Sequence, residues 1–449
     1  MSDELDRTWI EQVTGGRIER LEAMRGGGSR GMYLLDVTTP DGRSELVVRR
    51  DTGGGPYAGT ELASLRREAG VCRALAGTGL PVPDVVGVSD DGRDLIATRL
   101  PGSDNFHAIA DEGEKDGVRR DFIGTLGRLH ALDVATLDLG DLPPPAGERG
   151  HARSWVAVWQ RLFDQRVRRP VPLLRFALQW LADHAPPDHN RTVVCHGDVG
   201  PGNFLHDGGR VTGLLDWELC HLGDPHDDLG MLALRAYQLN AFGDIDDGLR
   251  TYEGATGTKV DGARVRYYRA VALVLGLTTS VMQLDTPGEA RIQTPLYLHL
   301  VPTLELLLAQ ALTELLELDT IETPEPPVAI DDPPDAEALI ALRDEVARLP
   351  ETAGSVLGAG LPELVSHFEA AARFGPAVEH DDLADLAELL GTQPDSARAG
   401  VAALDRAVAD RTVDAEAVVR WASRATRRHV VLWPAWAPAM EIPLQPIAP

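Results

Sequence analysis

Three oxygen-bearing side chains that could act on a phosphate group lie close together in the sequence. Asp198 follows a His-Gly pair, Asn203 comes five residues later, and Asp216 follows the next strand-like run. Phosphoryl transfer needs one carboxylate to orient the attacking hydroxyl and accept its proton, and further oxygen ligands to hold Mg²⁺. The spacing therefore predicts Asp198 as the catalytic base and Asn203 with Asp216 as the metal ligands.

Two apolar strand-like runs, at 193–195 and 211–215, flank this segment and would hold it in place. Upstream, short β-type runs predict strands at 32–37, 46–49, 85–88 and 95–100, and a period near 3.6 predicts a helix at 61–75. Beyond Gly102 the pattern changes to long amphipathic helices, at 119–132, 154–167 and 173–184 among others. The sequence thus predicts the α+β class, with an antiparallel sheet and one helix followed by a mostly helical region.

A different composition begins at residue 319. Residues 319–336 combine prolines with acidic residues and contain no basic residue, which predicts a stiff acidic linker. Residues 337–449 are rich in Ala, Leu and Asp with a helical pattern. We therefore expect a separate all-α C-terminal domain over 337–449.

The charge composition limits the classes of partner. The chain has 43 Lys+Arg against 69 Asp+Glu, a net charge of −26, which argues against nucleic acid as a partner. Lys115 and Lys259 are its only lysines, so a phosphate loop of the GxxxxGK[ST] type is excluded. The three cysteines are too few and too scattered for a disulfide framework or a CxxC-type zinc site.

The sequence indicates no membrane or export signal. Residues 1–6 lack the basic and apolar regions of a signal peptide. The apolar stretch at 296–318 is interrupted by His299, Glu305 and Glu314. We expect a cytoplasmic protein without a membrane partner, and the sequence does not indicate its oligomeric state.

Several segments together resemble the aminoglycoside phosphotransferase and choline kinase-like family. They are HGDVGPGNFL, GLLDWELCHLGDPHDDLGML, GRLHALD and REAGVCRAL, and the similarity covers residues 15–310. In sequence pattern they are most similar to bacterial members of this family and to the kinase-like domain fused to acyl-CoA dehydrogenases in some eukaryotic proteins. The resemblance implies a bilobal protein-kinase-like fold, with the N-lobe at 1–101 and the C-lobe at 102–318. The segment after the linker loosely resembles an uncharacterised helical domain appended to such phosphotransferases.

The resemblance also implies roles for residues outside the Asp198 segment. His196 and Asp228 would support the catalytic loop, and Glu68 would face the phosphate-binding basic residue of the third strand. The family often has lysine there, whereas this chain has Arg49. Arginine can bind phosphate bidentately, but it does not replace an ammonium group without consequence.

Two further elements would bind the nucleotide in a protein of this family. Ser29 matches the family's glycine-rich phosphate loop, and Arg30 replaces the asparagine that usually follows. Backbone groups at 98–101, beginning at Thr98, would recognise the base. Backbone recognition leaves little side-chain pattern, so ATP and GTP are both open as donors.

The expected function is a phosphotransferase that uses Mg²⁺ and ATP or GTP to phosphorylate a hydroxyl of a small molecule. A hydroxyacyl-CoA-like metabolite and an aminoglycoside or macrolide are both open as the acceptor. The alternative is a nucleotide-binding pseudokinase or scaffold whose C-terminal domain recruits a partner. The complete set of Asp198, Asn203 and Asp216 counts against the alternative, whereas the missing lysine and the extra domain count for it.

Overall fold

The structure is a computed structural model, and the chain divides into two compact units. It describes residues 5–24, 30–55, 57–140, 142, 150–188, 191–238, 241–286, 294–319, 321–331, 333, 335–348 and 356–448. Unit 1 comprises 1–154, 186–268 and 447–449, and unit 2 comprises 155–185 and 269–446. The domain boundaries expected at residues 101, 318 and 336 remain predictions.

Unit 1 begins with a five-stranded antiparallel sheet in the order β1-β2-β3-β5-β4. The strands are β1 (Arg17–Ala23), β2 (Arg30–Thr39), β3 (Gly42–Asp51), β4 (Val85–Val88) and β5 (Asp94–Thr98). One face packs Leu35, Val37 and Val48 around Ile10 of the short helix α1 (Arg7–Thr14). The predicted strands are all present, whereas β1 and α1 go beyond the individually predicted elements.

The helix predicted at 61–75 is present with a break near its start. A 3₁₀ turn covers Glu61–Ala63, and helix α2 runs over Leu65–Leu75. The break arises at Ser64, which has extended backbone angles and accepts a hydrogen bond from the N–H of Arg67 as an N-cap. The apolar face of α2 packs Leu65 and Ala69 against Leu95 of β5.

The remainder of unit 1 is helical except for two short antiparallel ladders. Strand β6 (Val193–Cys195) pairs with β9 (His221–Gly223), and β7 (Phe204–Asp207) pairs with β8 (Arg210–Leu214). The helices are α3 (Glu112–Ala131), α6 (Pro225–Gln238) and α7 (Ile245–Thr256). The segment with Asp198 and Asn203 connects β6 to β7. The predicted flanking runs at 193–195 and 211–215 correspond to β6 and β8, whereas β7 was not predicted.

Unit 2 is entirely helical in its described regular elements. The chain passes between the units within α4 (His151–Arg166) and α8 (Gly262–Asp285), and also after residues 185 and 446. The other helices are α5 (Pro172–Asp183), α9 (Thr294–Leu315), α10 (Ala336–Arg348), α11 (Val356–Leu390), α12 (Ala397–Ala409), α13 (Ala415–His429) and α14 (Ala437–Met440). Residues 321–330 contain neither helix nor strand. The predicted α+β class with a helical C-terminal region is confirmed.

Helix α9 is long and apolar enough to cross a membrane by length and composition alone. Its stretch Leu296–Leu315 has a mean hydropathy of 1.3, and half of this stretch is buried inside the protein. Leu306 of this helix packs against Trp433 and Met440 of the C-terminal region. A buried core helix passes the same test, so the absence of a membrane partner remains an expectation.

Glu305 on α9 makes the stability of unit 2 depend on pH. Burial raises the pKa of Glu305 to about 7, even though His429 and Arg169 oppose the shift. Between the ordinary value of 4.5 and about 7, the folded state holds a proton that the unfolded state releases. Stability from this group is therefore greatest below pH 4.5 and falls as the pH rises to 7.

We predict that Glu305→Gln removes this dependence. Relative to wild type, the variant should gain up to about 3 kcal/mol in unfolding free energy between pH 5 and pH 8. Urea denaturation of the full chain at both pH values measures the difference, and Glu337→Gln on the exposed face of α10 is the control. An equal gap between Glu305→Gln and wild type at the two pH values would contradict the prediction.

Candidate active site

One buried carboxylate holds the loop between β6 and β7 in place. Asp228 on α6 accepts hydrogen bonds from the backbone N–H groups of His196 and Gly197, each at 2.8 Å. His130 at the end of α3 donates to the same carboxylate at 3.0 Å and is itself bonded to Tyr252. Burial alone would raise the pKa of Asp228, but the His130 contact and the other hydrogen bonds outweigh it and lower the pKa. Asp228 therefore fixes the start of the loop as an ionised, fully bonded group.

Gly197 permits the turn that follows. Its φ is +84°, and a Cβ at this position would lie 2.3 Å from the carbonyl oxygen of Leu219. Any side chain would therefore meet backbone that cannot move aside. The turn at Gly197 therefore sets the direction of the chain at Asp198, directly after the two residues, His196 and Gly197, that Asp228 binds.

His196 supports the loop from within. Its Nε2 donates to the carbonyl of Leu215 at 2.9 Å, and its Nδ1 accepts from the N–H of Asp198 at 3.3 Å. This bonding pattern places the ring proton on Nε2. The ring also packs on Trp217, with 4.6 Å between the centroids.

The β7–β8 hairpin brings the two predicted metal ligands to the same end. Asn203 immediately precedes β7 and Asp216 closely follows β8, and the ladder pairs Phe204 with Leu214. The N–H of Leu215 donates to the carbonyl of Asn203 at 2.8 Å. The side-chain amide of Asn203 donates to the carbonyl of Asp198 at 2.8 Å, which fixes the direction of the amide. Asp198, Asn203 and Asp216 are thus linked through one compact loop and hairpin.

Arg49 on β3 connects the sheet to this hairpin. One guanidinium nitrogen bonds to Glu68 of α2, and another bonds to Asp216 at 2.9 Å. The Arg49 side chain is 16% exposed and that of Glu68 is 5% exposed. Arg49 Nε and Glu68 Oε2 are buried and have no hydrogen-bond partner in the described part of the chain. Arg49 therefore lies at the position that the resemblance implies, where it bridges two carboxylates.

The shifts in pKa follow from this shared charge. Burial raises the pKa of Glu68, because it outweighs the attraction of Arg49. Burial would also raise the pKa of Asp216, but Arg49 outweighs it and lowers the pKa. Asp216 also has a left-handed backbone with φ 62°, an uncommon conformation for a residue other than glycine. The contact with Arg49 therefore favours the ionised form of Asp216 and fixes the orientation of its carboxylate.

Two arginines and one glutamate join this cluster without having been assigned a role from the sequence. Arg30, buried at the start of β2, lies 3.6 Å from Glu218 and donates to the carbonyl of Ala63. Arg67 on α2 donates to the backbone carbonyls of Glu218 and Cys220. Burial and the neighbouring Asp216 raise the pKa of Glu218 to about 8. Glu218 belongs to the motif Asp-Trp-Glu, so its place two residues after Asp216 could have indicated that it lies at the site. The sequence near Arg30 and Arg67 gives no indication of their partners.

Arg235 is a further residue that sequence reasoning missed. It lies on α6, and its guanidinium donates to Asp198 Oδ1 at 2.8 Å. Both side chains are partly buried, with 29% exposure for Arg235 and 25% for Asp198. The predicted base is therefore half of an ion pair.

The two remaining predicted nucleotide ligands have different outcomes. Ser29 lies outside the described residues. Thr98 ends β5, where its N–H donates to the carbonyl of Asp84 and its hydroxyl accepts from the N–H of Asp84. Because the N–H of Thr98 is already bonded, recognition of a base by its backbone would have to use the carbonyl, and this role remains a prediction.

The residues fit a magnesium ion by their chemistry. Asp216 Oδ2 and Asn203 Oδ1 are hard oxygen donors, and among the described residues neither receives a hydrogen bond. Among all residues that the structure describes, no group of three or more His, Cys, Asp or Glu side chains is arranged to hold a metal. Magnesium at phosphate sites typically takes one or two protein ligands and completes its shell with water and phosphate. A site of one carboxylate and one amide is therefore adequate.

An antiparallel sheet with its paired helix, followed by this loop and hairpin, defines a kinase-like fold with a phosphotransferase type of site. The Phosphotransferase enzyme family matches residues 21–268, more than half of the chain. The protein belongs to this family, which confirms the resemblance seen in the sequence. A solved structure of a candidate aminoglycoside phosphotransferase from Ralstonia eutropha has the same fold. That chain has a TM-score of 0.51 and 22% identity, with coverage of 66% of this chain and 92% of that chain.

Two curated relatives show how far the similarity extends. Acyl-CoA dehydrogenase family member 10 of Mus musculus is 27% identical over 249 residues, which is 52% of this chain and 22% of that protein. Aminoglycoside 3'-phosphotransferase of Streptomyces ribosidificus is 31% identical over 211 residues, which is 43% of this chain and 77% of that protein. The chain thus spans about a fifth of the first relative and most of the second.

We predict that Asp228→Asn destabilises unit 1. An amide must present its NH₂ group to donors that now face a carboxylate, and it leaves buried hydrogen bonds unmade. Urea denaturation should show a loss of about 3 kcal/mol in unfolding free energy. The matched substitution Asp207→Asn, at the exposed end of β7, should change stability by less than about 0.5 kcal/mol. Equal stability of the two variants would show that Asp228 does not hold the loop.

Proposed function

We propose that this protein is a small-molecule kinase that transfers the γ-phosphoryl group of ATP or GTP to a hydroxyl, with Mg²⁺ as cofactor. The observation that carries the proposal is the linked set of Asp198, Asn203 and Asp216, with Arg49 joining Asp216 to Glu68. This set contains a base, a metal-binding pair and a phosphate-binding cation. Family membership supports the reaction class, whereas the nucleotide, the metal and the acceptor are parts of the proposal.

Asp198 would act through its second carboxylate oxygen. Oδ1 is bonded to Arg235, and Oδ2 has no partner among the described residues. Oδ2 can accept the hydrogen bond of an acceptor hydroxyl and then its proton. The hydroxyl oxygen attacks the γ-phosphorus, the bond to the bridging oxygen breaks, and the nucleoside diphosphate leaves.

The rest of the site would position the nucleotide. Arg49 would bind phosphate oxygens while Glu68 keeps its guanidinium in place. Asn203 and Asp216 would hold Mg²⁺, which when bound neutralises the charge on the phosphate oxygens. His196 would keep the loop rigid, and Ser29 and Thr98 would contact the phosphates and the base. Most of the rate enhancement would come from this positioning and charge complementarity.

Two acceptor classes follow from the relatives. One curated relative is named an aminoglycoside 3'-phosphotransferase, and the other an acyl-CoA dehydrogenase family member. An aminoglycoside and a hydroxyacyl-CoA-like metabolite are therefore the acceptors to test first, and a macrolide, expected from the sequence, is the third.

A scaffold that binds nucleotide and recruits a partner is the second candidate. The observation in its favour is a cavity of about 1260 Å³ in unit 2, lined by Pro326, Ile340, Phe374 and Pro438 among others. None of the predicted site residues that the structure describes lines this cavity. Turnover measurements separate the candidates, because a scaffold binds nucleotide without transferring phosphate.

We predict that Asp198→Asn lowers kcat by about 10²–10⁴-fold, because the amide cannot accept the proton. Binding of the magnesium nucleotide should change little. Phosphoryl transfer from ATP and from GTP, with and without a chelator, measures the effect against hydroxyacyl-CoAs, aminoglycosides and macrolides. Asp207→Asn is the control. Tight nucleotide binding by wild type without turnover on any acceptor would favour the scaffold.

We predict that Arg49→Lys raises the KM for nucleotide about tenfold, because one ammonium cannot bridge two carboxylates as the guanidinium does. Arg49→Met should lower kcat/KM by at least about 100-fold, since it leaves Glu68 and Asp216 unpaired. Steady-state kinetics with varied nucleotide measures both. Arg43→Lys, at a 64% exposed position on the same strand, is the control. A lysine variant that equals wild type would refute the bridging role of Arg49.

A further inference from the structure

Asp216 lies immediately before a short turn that determines its conformation. Its φ of 62° is in the left-handed region, which costs free energy for any residue with a Cβ. A 3₁₀ turn over Trp217–Leu219 follows, and the Asp216 side chain makes no capping hydrogen bond to it. Such a conformation persists only where neighbouring contacts hold it, so the hydrogen bonds made by this turn matter for Asp216.

The backbone carbonyls of residues 217–220 all accept hydrogen bonds. Two of the four bonds have local donors, the N–H of Cys220 and Nδ1 of His221. The other two come from Arg67, which donates to the carbonyls of Glu218 and Cys220. Cys220 is fully buried, so its carbonyl has no ready access to water as another partner. Arg67 therefore holds the turn at two of its carbonyl groups.

Arg67 contacts the turn from helix α2, which packs on the sheet. Leu65 and Ala69 of this helix lie against Leu95 of β5. Arg67 itself is only 8% exposed. Its two terminal nitrogens each bind one of the two carbonyls, so one planar guanidinium sets the distance between these carbonyls. The buried, doubly bonded guanidinium therefore connects α2 rigidly to the turn.

We propose that Arg67 is a positioning residue that holds Asp216 in the conformation required to bind the metal. The inference rests on the proposed function, because it concerns the proposed metal ligand. Helix α2 would fix Asp216 in two ways. Arg67 binds the backbone that follows Asp216, and Glu68 reaches the Asp216 carboxylate through Arg49. Loss of a group that orients a metal ligand typically lowers metal affinity by about 10–100-fold.

Binding of Mn²⁺ to the full chain with a non-hydrolysable ATP or GTP analogue, followed by electron paramagnetic resonance, measures this role. Arg67→Met should weaken Mn²⁺ binding at least about tenfold, because it removes both hydrogen bonds to the turn. Arg67→Lys should have a smaller effect, because one ammonium cannot bind both carbonyls as the guanidinium does. Arg66→Met is the matched control and should bind Mn²⁺ as wild type does. Arg66 is exposed on the same helix and donates to the carbonyls of Ser89 and Asp90 instead.

A double-mutant comparison separates positioning of Asp216 from general support of the fold. Asp216→Asn should weaken Mn²⁺ binding by itself, because it removes a charged ligand. If Arg67 acts through Asp216, adding Arg67→Met to this variant should weaken binding by less than about twofold more. A residue that only supports the fold would lower the folded fraction, measured by circular dichroism, while the folded molecules bound Mn²⁺ with wild-type affinity.

The outcomes distinguish the inference from the proposed function. Wild-type affinity in Arg67→Met, or an equal loss in Arg66→Met, overturns the inference and leaves the proposed function intact. A loss of the same size with and without Asp216→Asn also overturns it, because Arg67 then acts elsewhere. If Arg67→Met does not fold, Arg67→Lys decides by the same criteria. Wild type that binds no Mn²⁺ with either analogue, or Asp216→Asn that binds it as tightly as wild type, contradicts the proposed metal site, and the inference fails with it.

Discussion

The site depends on one buried carboxylate that meets three donors at once. Asp228 is fully buried and binds two consecutive backbone N–H groups of the loop together with His130. A buried anion is costly in free energy unless its oxygens are hydrogen-bonded, so loss of any one of these contacts would destabilise the arrangement. The arrangement makes the loop a rigid support for Asp198. The positions of Asn203 and Asp216 follow from the same loop and the hairpin that continues it.

A second constraint is the balance of charge between the sheet and the hairpin. Arg30 and Arg49 face Glu68, Asp216 and Glu218 in a largely buried space. The pKa of Glu218 is raised to about 8 by burial and by Asp216, which favours its protonated form at neutral pH and reduces the negative charge of this space. Binding of a metal and a polyphosphate would have to rearrange this balance. A guanidinium suits that task, because it can exchange one carboxylate for a phosphate and keep the other.

Elements that depend on residues close together in the sequence could be predicted from the sequence. The loop with Asp198 and Asn203, the strand before Asp216 and the strands β2 and β3 are local patterns, and the structure contains these elements. Arg235 could not be found in this way, because its partner lies 37 positions away and helix α6 carries no local sign of it. Arg67 binds carbonyls 151 and 153 positions away, which only the tertiary fold brings near. Helix α1 had a weak signal in Asp6, which caps it by accepting from Thr8 and Trp9.

We propose that Arg49, Asp216 and Asn203 form the binding site of a magnesium nucleotide. The decisive experiment is a crystal structure of the protein with Mg²⁺ and a non-hydrolysable ATP analogue. We predict that a carboxylate oxygen of Asp216 and Oδ1 of Asn203 lie within about 2.1 Å of the metal. We also predict that Arg49 contacts a phosphate oxygen and keeps its hydrogen bond to Glu68. A nucleotide bound elsewhere, or a metal held without these two ligands, would show that this site does not bind the magnesium nucleotide.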